Sequence, residues 1–135
     1  MDQEEIVRRI TLFFKKRPEI AVCLLFGSAA TDKTISENSD IDVAICAEDP
    51  IVADKLAELQ LCLSEELGRE VDLLDISRLN GLILRNVISN GIRVINTSPE
   101  LLAYHIKRML YYSEDMFPNY RMMQNAKLKR FAYGH

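Results

Sequence analysis

The sequence lacks a long apolar segment and a basic leader. No apolar run approaches the roughly 20 residues that a transmembrane helix requires, so we expect no membrane span and no membrane contact. The first residues, 1–5, are largely acidic, whereas a signal peptide starts with a basic segment and continues with an apolar one. These two absences predict a cytoplasmic protein.

Cysteine is also scarce, with three residues in a chain of 135. Cys23, Cys46 and Cys62 are far apart, odd in number and set among apolar residues. A disulfide-stabilised domain favours an even count, and a structural zinc site favours pairs of cysteines two residues apart. We therefore interpret all three as reduced and mostly buried small hydrophobic residues.

Basic residues are too few to predict nucleic-acid binding. The chain has 17 Lys and Arg against 20 Asp and Glu, a net charge of -3, so we expect no direct nucleic-acid partner. From Tyr104 onward the balance reverses, with six Lys and Arg against two Asp and Glu. This basic segment is either a solvated helix face or a docking surface for an acidic partner.

Helical and extended periodicities alternate along a chain that is long enough for one domain. Helices are predicted over residues 3–17, 50–67, 78–89 and 99–116, with a weaker basic helix over 119–131, and strands over 20–26, 41–45, 71–76 and 92–95. Residues 29–39 are predicted to form a short helical turn or a loop. The alternation predicts an α/β or α+β fold in which helices cover a mostly buried sheet.

The second long helix has the clearest predicted boundaries. Asp49 is the predicted N-cap, Pro50 the first helical residue and Gly68 the residue that ends the helix. The apolar stripe of this helix is Val52, Leu56, Leu59, Leu63 and Leu67.

Acidic residues interrupt two of the predicted strands. Asp40 and Asp42 are two residues apart, so on a strand both carboxylates face the same side. Asp72 begins the next strand, and it would join them if the two strands are neighbours. Like charges at such short distances repel, and a divalent cation that prefers oxygen ligands, such as Mg²⁺, relieves the repulsion. An Asp-x-Asp pair by itself also occurs on solvated strand faces.

A glycine and a serine follow the first apolar strand. Gly27 allows the backbone to turn tightly and to approach a ligand closely. The hydroxyl of Ser28 and the neighbouring backbone N–H groups can bind phosphate oxygens. Three carboxylates around two cations, opposite a phosphate-binding turn, predict a two-metal site for phosphoryl or nucleotidyl transfer.

Asp75 competes with Asp72 for the place of the third carboxylate. The two residues are three apart, so on a strand they face opposite sides, and only one of them can join the cluster. We favour Asp72, and we expect Asp75 to end the strand or to cap the following helix.

These segments together resemble the nucleotidyltransferase superfamily typified by DNA polymerase beta, and within it the minimal nucleotidyltransferases that are antitoxin partners of HEPN-domain proteins. The matching segments are FGS at 26–28, SDID at 39–42, LGREVDLL at 67–74 and ISNGIRVI at 88–95. The resemblance implies a nucleotidyltransferase fold over residues 1–97, built on a small mixed sheet of about four strands covered by helices. Residues 98–135 would form a C-terminal helical extension that packs on the same domain and binds a partner.

The resemblance also implies site residues and a reaction. Asp40, Asp42 and Asp72 would bind two Mg²⁺ ions, and Asp72 would also accept the proton of the attacking hydroxyl. Gly27 and Ser28 would hold the triphosphate. AMP would pass from ATP to a protein hydroxyl and pyrophosphate would leave. In the antitoxin branch the acceptor is a tyrosine of the HEPN toxin, so the implied partners are ATP and such a toxin in a hetero-oligomer.

The segment between Ser28 and Asp40 departs from the family pattern. It has eleven residues, 29–39, where the family commonly has ten, and Thr31 and Asp32 stand where the family often has Arg and Gly. Asp32 would repel a triphosphate, so we expect it to face solvent. Lys33 would have to replace the missing Arg. These departures affect nucleotide affinity and base choice and leave the predicted metal ligands intact.

Two alternative functions follow from the same residues. The chain is either a binding module whose site is silent and which neutralises its partner by docking, or a nucleotidyltransferase that modifies a small molecule. The missing Arg and the longer segment favour the binding module. The small room for a separate substrate domain disfavours the small-molecule enzyme.

Several residues outside the cluster have either a functional or a structural interpretation. Arg69 and Arg85 are either phosphate or acceptor contacts or, more simply, solvated or ion-paired arginines. His105 has no partner motif, so we interpret it as structural or surface-exposed. Three tyrosines at helical spacing are interpreted as packing and interface residues rather than self-modification sites: Tyr104, Tyr111 and Tyr112. The apolar residues near the C-terminus predict a partner or a second copy as their contact: Met116, Phe117, Tyr120, Met122, Met123 and Phe131.

Overall fold

A computed structural model describes residues 1–32 and 34–112. The predicted alternation of helices and strands is confirmed over these residues. The elements in chain order are α1 (Gln3–Lys15), β1 (Val22–Phe26), α2 (Ser28–Thr31), β2 (Ile41–Cys46), α3 (Ala53–Leu67), β3 (Val71–Asp75), a 3-10 turn (Ile76–Arg78), α4 (Gly81–Asn90) and β4 (Ile92–Asn96). Residues 99–112 are helical and are called α5. The predictions for 119–131 and for the C-terminal apolar residues lie outside the described residues.

The four strands form one mixed sheet in the order β3-β2-β1-β4. β1 runs antiparallel to both β2 and β4, whereas β2 and β3 are parallel. Helix α3 connects β2 to β3, because two parallel strands need a long crossover connection, which is usually a helix. This topology confirms the predicted α/β architecture of a small mixed sheet covered by helices. None of the helices in the described part of the chain is both long and apolar enough to span a membrane.

Helices cover both faces of the sheet. On one face, alternate strand residues pack against α1 and α3, with members that include Leu25, Val43, Ile10, Phe14 and Leu63. On the other face, the remaining strand residues pack against α4 and α5, with members that include Leu24, Ala44, Leu84, Val87 and Leu102. The strands are therefore apolar on both sides, as the continuous apolar run of β1 predicts.

Helix α1 begins after Asp2, which is its N-cap. The Asp2 side chain accepts a hydrogen bond from the backbone N–H of Glu5 at 2.9 Å. The helix ends at Lys15, two residues before the predicted end, and the Arg17 N–H donates to the carbonyl of Phe14.

The predicted start of α3 is wrong. The helix begins at Ala53, with Val52 as its N-cap, and not at Asp49 and Pro50. The Ile51 N–H donates to the Asp75 carboxylate at 2.8 Å, and Ile51 is buried in the core. These two contacts hold the segment in an extended form and delay the helix by three residues. Val52 is 68% exposed, so it does not belong to the apolar stripe.

Strand β3 forms one edge of the sheet, and α3 covers that edge. The outward N–H of Leu73 donates to Gln60 Oε1 at 2.9 Å, and the N–H of Val71 donates to Ser64 Oγ at 3.2 Å. Gln60 and Ser64 are four residues apart, on the same face of α3. Their oxygens satisfy the backbone donors that an open edge would leave available for pairing with another strand.

Helix α5 packs on the sheet through Leu102 and His105, which are both buried. Arg108 Nε donates to His105 Nδ1 at 3.1 Å, so this nitrogen is an acceptor and the ring is neutral. His105 Nε2 lies 3.2 Å from Cys46 Sγ. Burial and the Arg108 charge lower the pKa of His105 below its usual value. The histidine is thus a structural residue, as interpreted from the sequence.

The predicted state of the cysteines is also confirmed. All three are free; Cys23 and Cys46 are buried and Cys62 is partly exposed. Burial raises the pKa of the Cys46 thiol to about 11 and raises that of Cys23 beyond the usual range of thiols.

Candidate active site

The carboxylates of β2 and β3 lie on neighbouring strands at the same level. Asp42 and Asp72 are direct register partners in the parallel pair, and Asp42 is also the register partner of Phe26 in β1. Asp42 lies in phase with Ala44, on the sheet face that α4 and α5 cover. Asp42 Oδ1 and Asp72 Oδ2 are fully buried oxygen atoms. The carboxylates of Asp42 and Asp72 therefore lie side by side on the same face of the sheet, as the sequence predicts.

Gly27 brings the end of β1 against one of these carboxylates. Its backbone has φ 70° and ψ -153°, a combination that is accessible almost only to glycine. A Cβ atom at this position would lie 2.3 Å from Asp42 Oδ2 and 3.2 Å from its carboxyl carbon. The distance to Oδ2 is far shorter than van der Waals contact. The turn therefore requires glycine both for its backbone conformation and because there is no room for a Cβ atom.

Ser28 and Asp40 flank the same region. Ser28 is exposed at the start of α2, where the Ala30 N–H closes the turn by donating to the carbonyl of Gly27 at 3.1 Å. Asp40 is partly buried and immediately precedes β2. The turn after β1 and the first residues of β2 and β3 therefore meet at one end of the sheet.

The geometry agrees with the comparison of the whole chain against protein families. The family model described as polymerase beta, nucleotidyltransferase, matches residues 8–100. The chain belongs to this family. It is a nucleotidyltransferase, and all five predicted site residues lie inside the matched region.

Two relatives of this nucleotidyltransferase are named as protein adenylyltransferases. MJ1217 of Methanocaldococcus jannaschii is 38% identical over 71 residues, which are 53% of this chain and 71% of that protein. MntA of Shewanella oneidensis is 29% identical over 97 residues, which are 70% of this chain and 68% of that protein.

A solved complex shares the fold. It is described as a tri-AMPylated Shewanella oneidensis HEPN toxin with an MNT antitoxin. The matched chain superposes with a TM-score of 0.63 at 22% identity, and the match covers 96% of the nucleotidyltransferase described here and 93% of the solved chain.

Members of this family use a nucleotide and, in general, a divalent metal. The donor atoms at the site can be compared with the ligands that such a metal prefers. Asp40, Asp42 and Asp72 offer carboxylate oxygens, the hard ligands that Mg²⁺ prefers. The buried oxygens of Asp42 and Asp72 and the Cβ-free surface of Gly27 also suit a compact ionic ligand. Within residues 1–32 and 34–112, no three His, Cys, Asp or Glu side chains are gathered into a ready-made metal cluster. The residue types and their placement fit a divalent cation, and joint ligation by all three carboxylates stays a prediction.

Asp75 lies on the opposite face from Asp72, as predicted. It is 3% exposed, in phase with the buried Val71 and Leu73. Its carboxylate accepts from the N–H groups of Ile51 and Ser77 and so caps the 3-10 turn. These contacts assign Asp75 a structural role away from the site.

Other candidate residues are placed as follows. Asp32 is exposed, as expected, whereas Lys33 lies outside the described residues. Arg85 is exposed on α4. Tyr104 and Tyr111 are exposed and do not belong to the core, and the Tyr104 ring contacts the ring of His105 at a centroid distance of 5.0 Å.

Two contacts near the site were not predicted from the sequence, one made by Gln3 and one by Arg69, which was named above only as a phosphate or acceptor contact or as a solvated or ion-paired residue. Gln3 Nε2 donates to the carbonyls of Ala29 and Ala30 at 3.0 and 3.1 Å, so α1 holds the short helix α2 that carries Ser28. Arg69 donates to the segment that leads into Asp40. No local sequence pattern marks either contact, because the partners are 26 to 33 residues apart.

Proposed function

We propose that the chain is a Mg²⁺-dependent protein adenylyltransferase that transfers AMP from ATP to a tyrosine hydroxyl of a HEPN-domain toxin, in the cytoplasm. The observation that carries the proposal is the register pairing of Asp42 with Asp72 beside the Gly27 turn. The names of the two relatives and the composition of the solved complex support the choice of a protein acceptor and of a HEPN partner.

The residues have distinct roles in this reaction. Asp40, Asp42 and Asp72 are the proposed ligands of two Mg²⁺ ions, which when bound neutralise charge on the phosphates. Gly27 lets the backbone come close to the phosphates, and Ser28 offers its hydroxyl and N–H at the start of α2. Because α2 is held by Gln3, this turn is preorganised for the nucleotide.

The transfer is a single displacement at the α-phosphorus. The tyrosine oxygen forms a bond to this phosphorus, and the bond from the α-phosphorus to the oxygen that bridges to the β-phosphate breaks. The pair of electrons leaves with pyrophosphate. Asp72, which lies beside Asp42, is the proposed acceptor of the hydroxyl proton, the role that the resemblance to nucleotidyltransferases implies for the third carboxylate.

Intact-protein mass spectrometry tests the proposal. The chain is mixed with ATP, Mg²⁺ and the product of the neighbouring gene, if this is a small helical protein. We expect an increment of one or more AMP units on that protein, which disappears in the double variant Asp40→Asn/Asp42→Asn. The control is Asp54→Asn/Glu58→Gln, which removes the same charge from exposed positions on α3. Thermal unfolding shows whether each variant is folded.

Three other results would contradict the proposal in different ways. Transfer that persists in the Asp40/Asp42 variant would refute the assigned site. An increment on this chain would indicate self-modification. A stable complex without any increment would favour the alternative in which the chain neutralises its partner by docking.

A further inference from the structure

Arg69 connects the end of α3 to the segment that precedes β2. Its Nη2 donates to the carbonyl of Ser39 at 2.8 Å and also to the carbonyl of Ser36. Its Nε is buried and has no hydrogen-bond partner among residues 1–32 and 34–112. Arg69 is partly exposed as a residue, and its guanidinium is held by two backbone carbonyls.

The backbone of Arg69 is itself fixed. Gly68 ends α3 in the left-handed conformation at φ 65°, and the Arg69 N–H donates to the carbonyl of Ser64 at 3.2 Å. This pair of features is the Schellman type of helix end, which closes the last turn of a helix. The side chain thus starts from a rigid point just before β3.

Asp40 is bracketed by contacts to Arg69 and Glu70. The peptide group before it is held through the Ser39 carbonyl, which accepts from Arg69. The peptide group after it is held through the Ile41 N–H, which donates to the carbonyl of Glu70 at 3.0 Å. Arg69 and Glu70 precede Asp72 by three and two residues. The backbone around Asp40 is therefore bonded directly to the segment that leads into the strand of Asp72.

We propose that Arg69 is a positioning residue that sets the backbone of Asp40 relative to Asp72. It does so through the carbonyls of Ser36 and Ser39 and does not touch the nucleotide. The catalytic consequence rests on the proposed function, whereas the structural consequence does not. Because a misplacement of a reacting group by about 1 Å costs on the order of a hundredfold in rate, loss of these contacts lowers kcat more than it raises KM for ATP.

Matched variants separate positioning from stability. Arg69→Met keeps much of the side-chain length and removes the donors, and Arg69→Lys restores one donor group. The control is Arg78→Met. Arg78 also donates to a distant carbonyl, that of Ile51 at 2.9 Å, but it does so at the opposite end of β3 from the carboxylates. Both Met variants therefore lose a long-range contact from arginine to backbone.

Hydrogen–deuterium exchange of residues 34–41 is the first readout, and it does not depend on activity. We expect faster exchange there in Arg69→Met, an intermediate rate in Arg69→Lys, and the wild-type rate in Arg78→Met. The second readout is transfer kinetics as a function of Mg²⁺ and ATP. We expect a drop in kcat of roughly tenfold or more and a higher Mg²⁺ requirement in Arg69→Met, with partial recovery in Arg69→Lys.

Together, the exchange and kinetic measurements distinguish a failure of the Arg69 proposal from a failure of the proposed function. Wild-type exchange in Arg69→Met would overturn the proposal. Faster exchange with kcat and Mg²⁺ dependence equal to those of Arg78→Met would show that the contact holds the segment but does not position Asp40, and would overturn it as well. If the wild-type chain transfers no nucleotide, the proposed function fails, while the exchange of residues 34–41 still decides whether Arg69 holds this segment.

Discussion

Replacement of Gly27 by alanine perturbs the site through one added methyl group. The added Cβ would lie 2.3 Å from Asp42 Oδ2, and ordinary contact begins near 3.4 Å, so the carboxylate must retreat by about 1 Å. The unfavourable backbone conformation adds about 1–3 kcal/mol to the cost of folding. A carboxylate displaced by about 1 Å reduces the rate on the order of a hundredfold. We therefore expect Gly27→Ala to be destabilised and nearly inactive.

Gly68→Ala is the matched control for this substitution. Gly68 also has a positive φ, 65°, but its ψ of 25° lies in the left-handed region, which costs alanine less than the conformation of Gly27, and an added Cβ would meet nothing within 4 Å. Gly68→Ala should lose stability from the backbone term alone and keep far more activity than Gly27→Ala, because its added methyl group does not touch a carboxylate. The assay is thermal or denaturant unfolding together with AMP transfer to the partner.

A double-mutant cycle isolates the contact with the carboxylate. In an Asp42→Ala background the clash is removed, so Gly27→Ala should destabilise the chain less than it does in the wild type, while the effect of Gly68→Ala should be unchanged. Equal effects of Gly27→Ala in the two backgrounds, or full activity of Gly27→Ala, would refute the reasoning.

Two further predictions concern groups away from the site. The folded state lowers the pKa of His105 below 6.5, so the unfolded state binds a proton more readily than the folded state does. The contribution of the neutral His105 to the free energy of unfolding is therefore complete above about pH 6.5 and decreases as the pH falls toward the pKa of the folded state. His105→Gln should weaken this pH dependence of the unfolding temperature, and an unchanged slope in this variant would contradict the assignment. Iodoacetamide should modify Cys62 first in the native chain, because Cys62 is partly exposed and burial raises the pKa of Cys46 to about 11. Peptide mapping checks the order, and early labelling of Cys23 or Cys46 would contradict the buried positions.

The site could be predicted to the extent that it depends on short-range periodicity. The two-residue spacing in Asp40-x-Asp42 and the three-residue spacing from Asp72 to Asp75 decide which side chains share a face, whatever the rest of the chain does. This phase shows that only one of Asp72 and Asp75 can face Asp42. The resemblance to the family favours Asp72, and the register of β2 and β3 confirms that Asp72 is the residue beside Asp42.

The parts that could not be predicted depend on contacts between distant residues. The start of α3 was misplaced because Asp75 accepts the N–H of Ile51, a contact across 24 residues that overrides the local preference of Asp49 and Pro50 for a helix start. The hydrogen bonds from the β3 edge to Gln60 and Ser64 could not be predicted from the sequence either, because β3 is an edge strand only in the observed strand order.

The longer segment between Ser28 and Asp40 can now be understood from its anchors. Gln3 holds the carbonyls of Ala29 and Ala30 near its start, and Arg69 holds those of Ser36 and Ser39 near its end. One added residue costs little loop-closure entropy, and fixed ends confine its effect to the stretch between the anchors. We therefore expect the unusual length and the absent arginine to alter contacts with the nucleotide, while the relative placement of the carboxylates depends on Arg69 and on the pairing of β2 with β3.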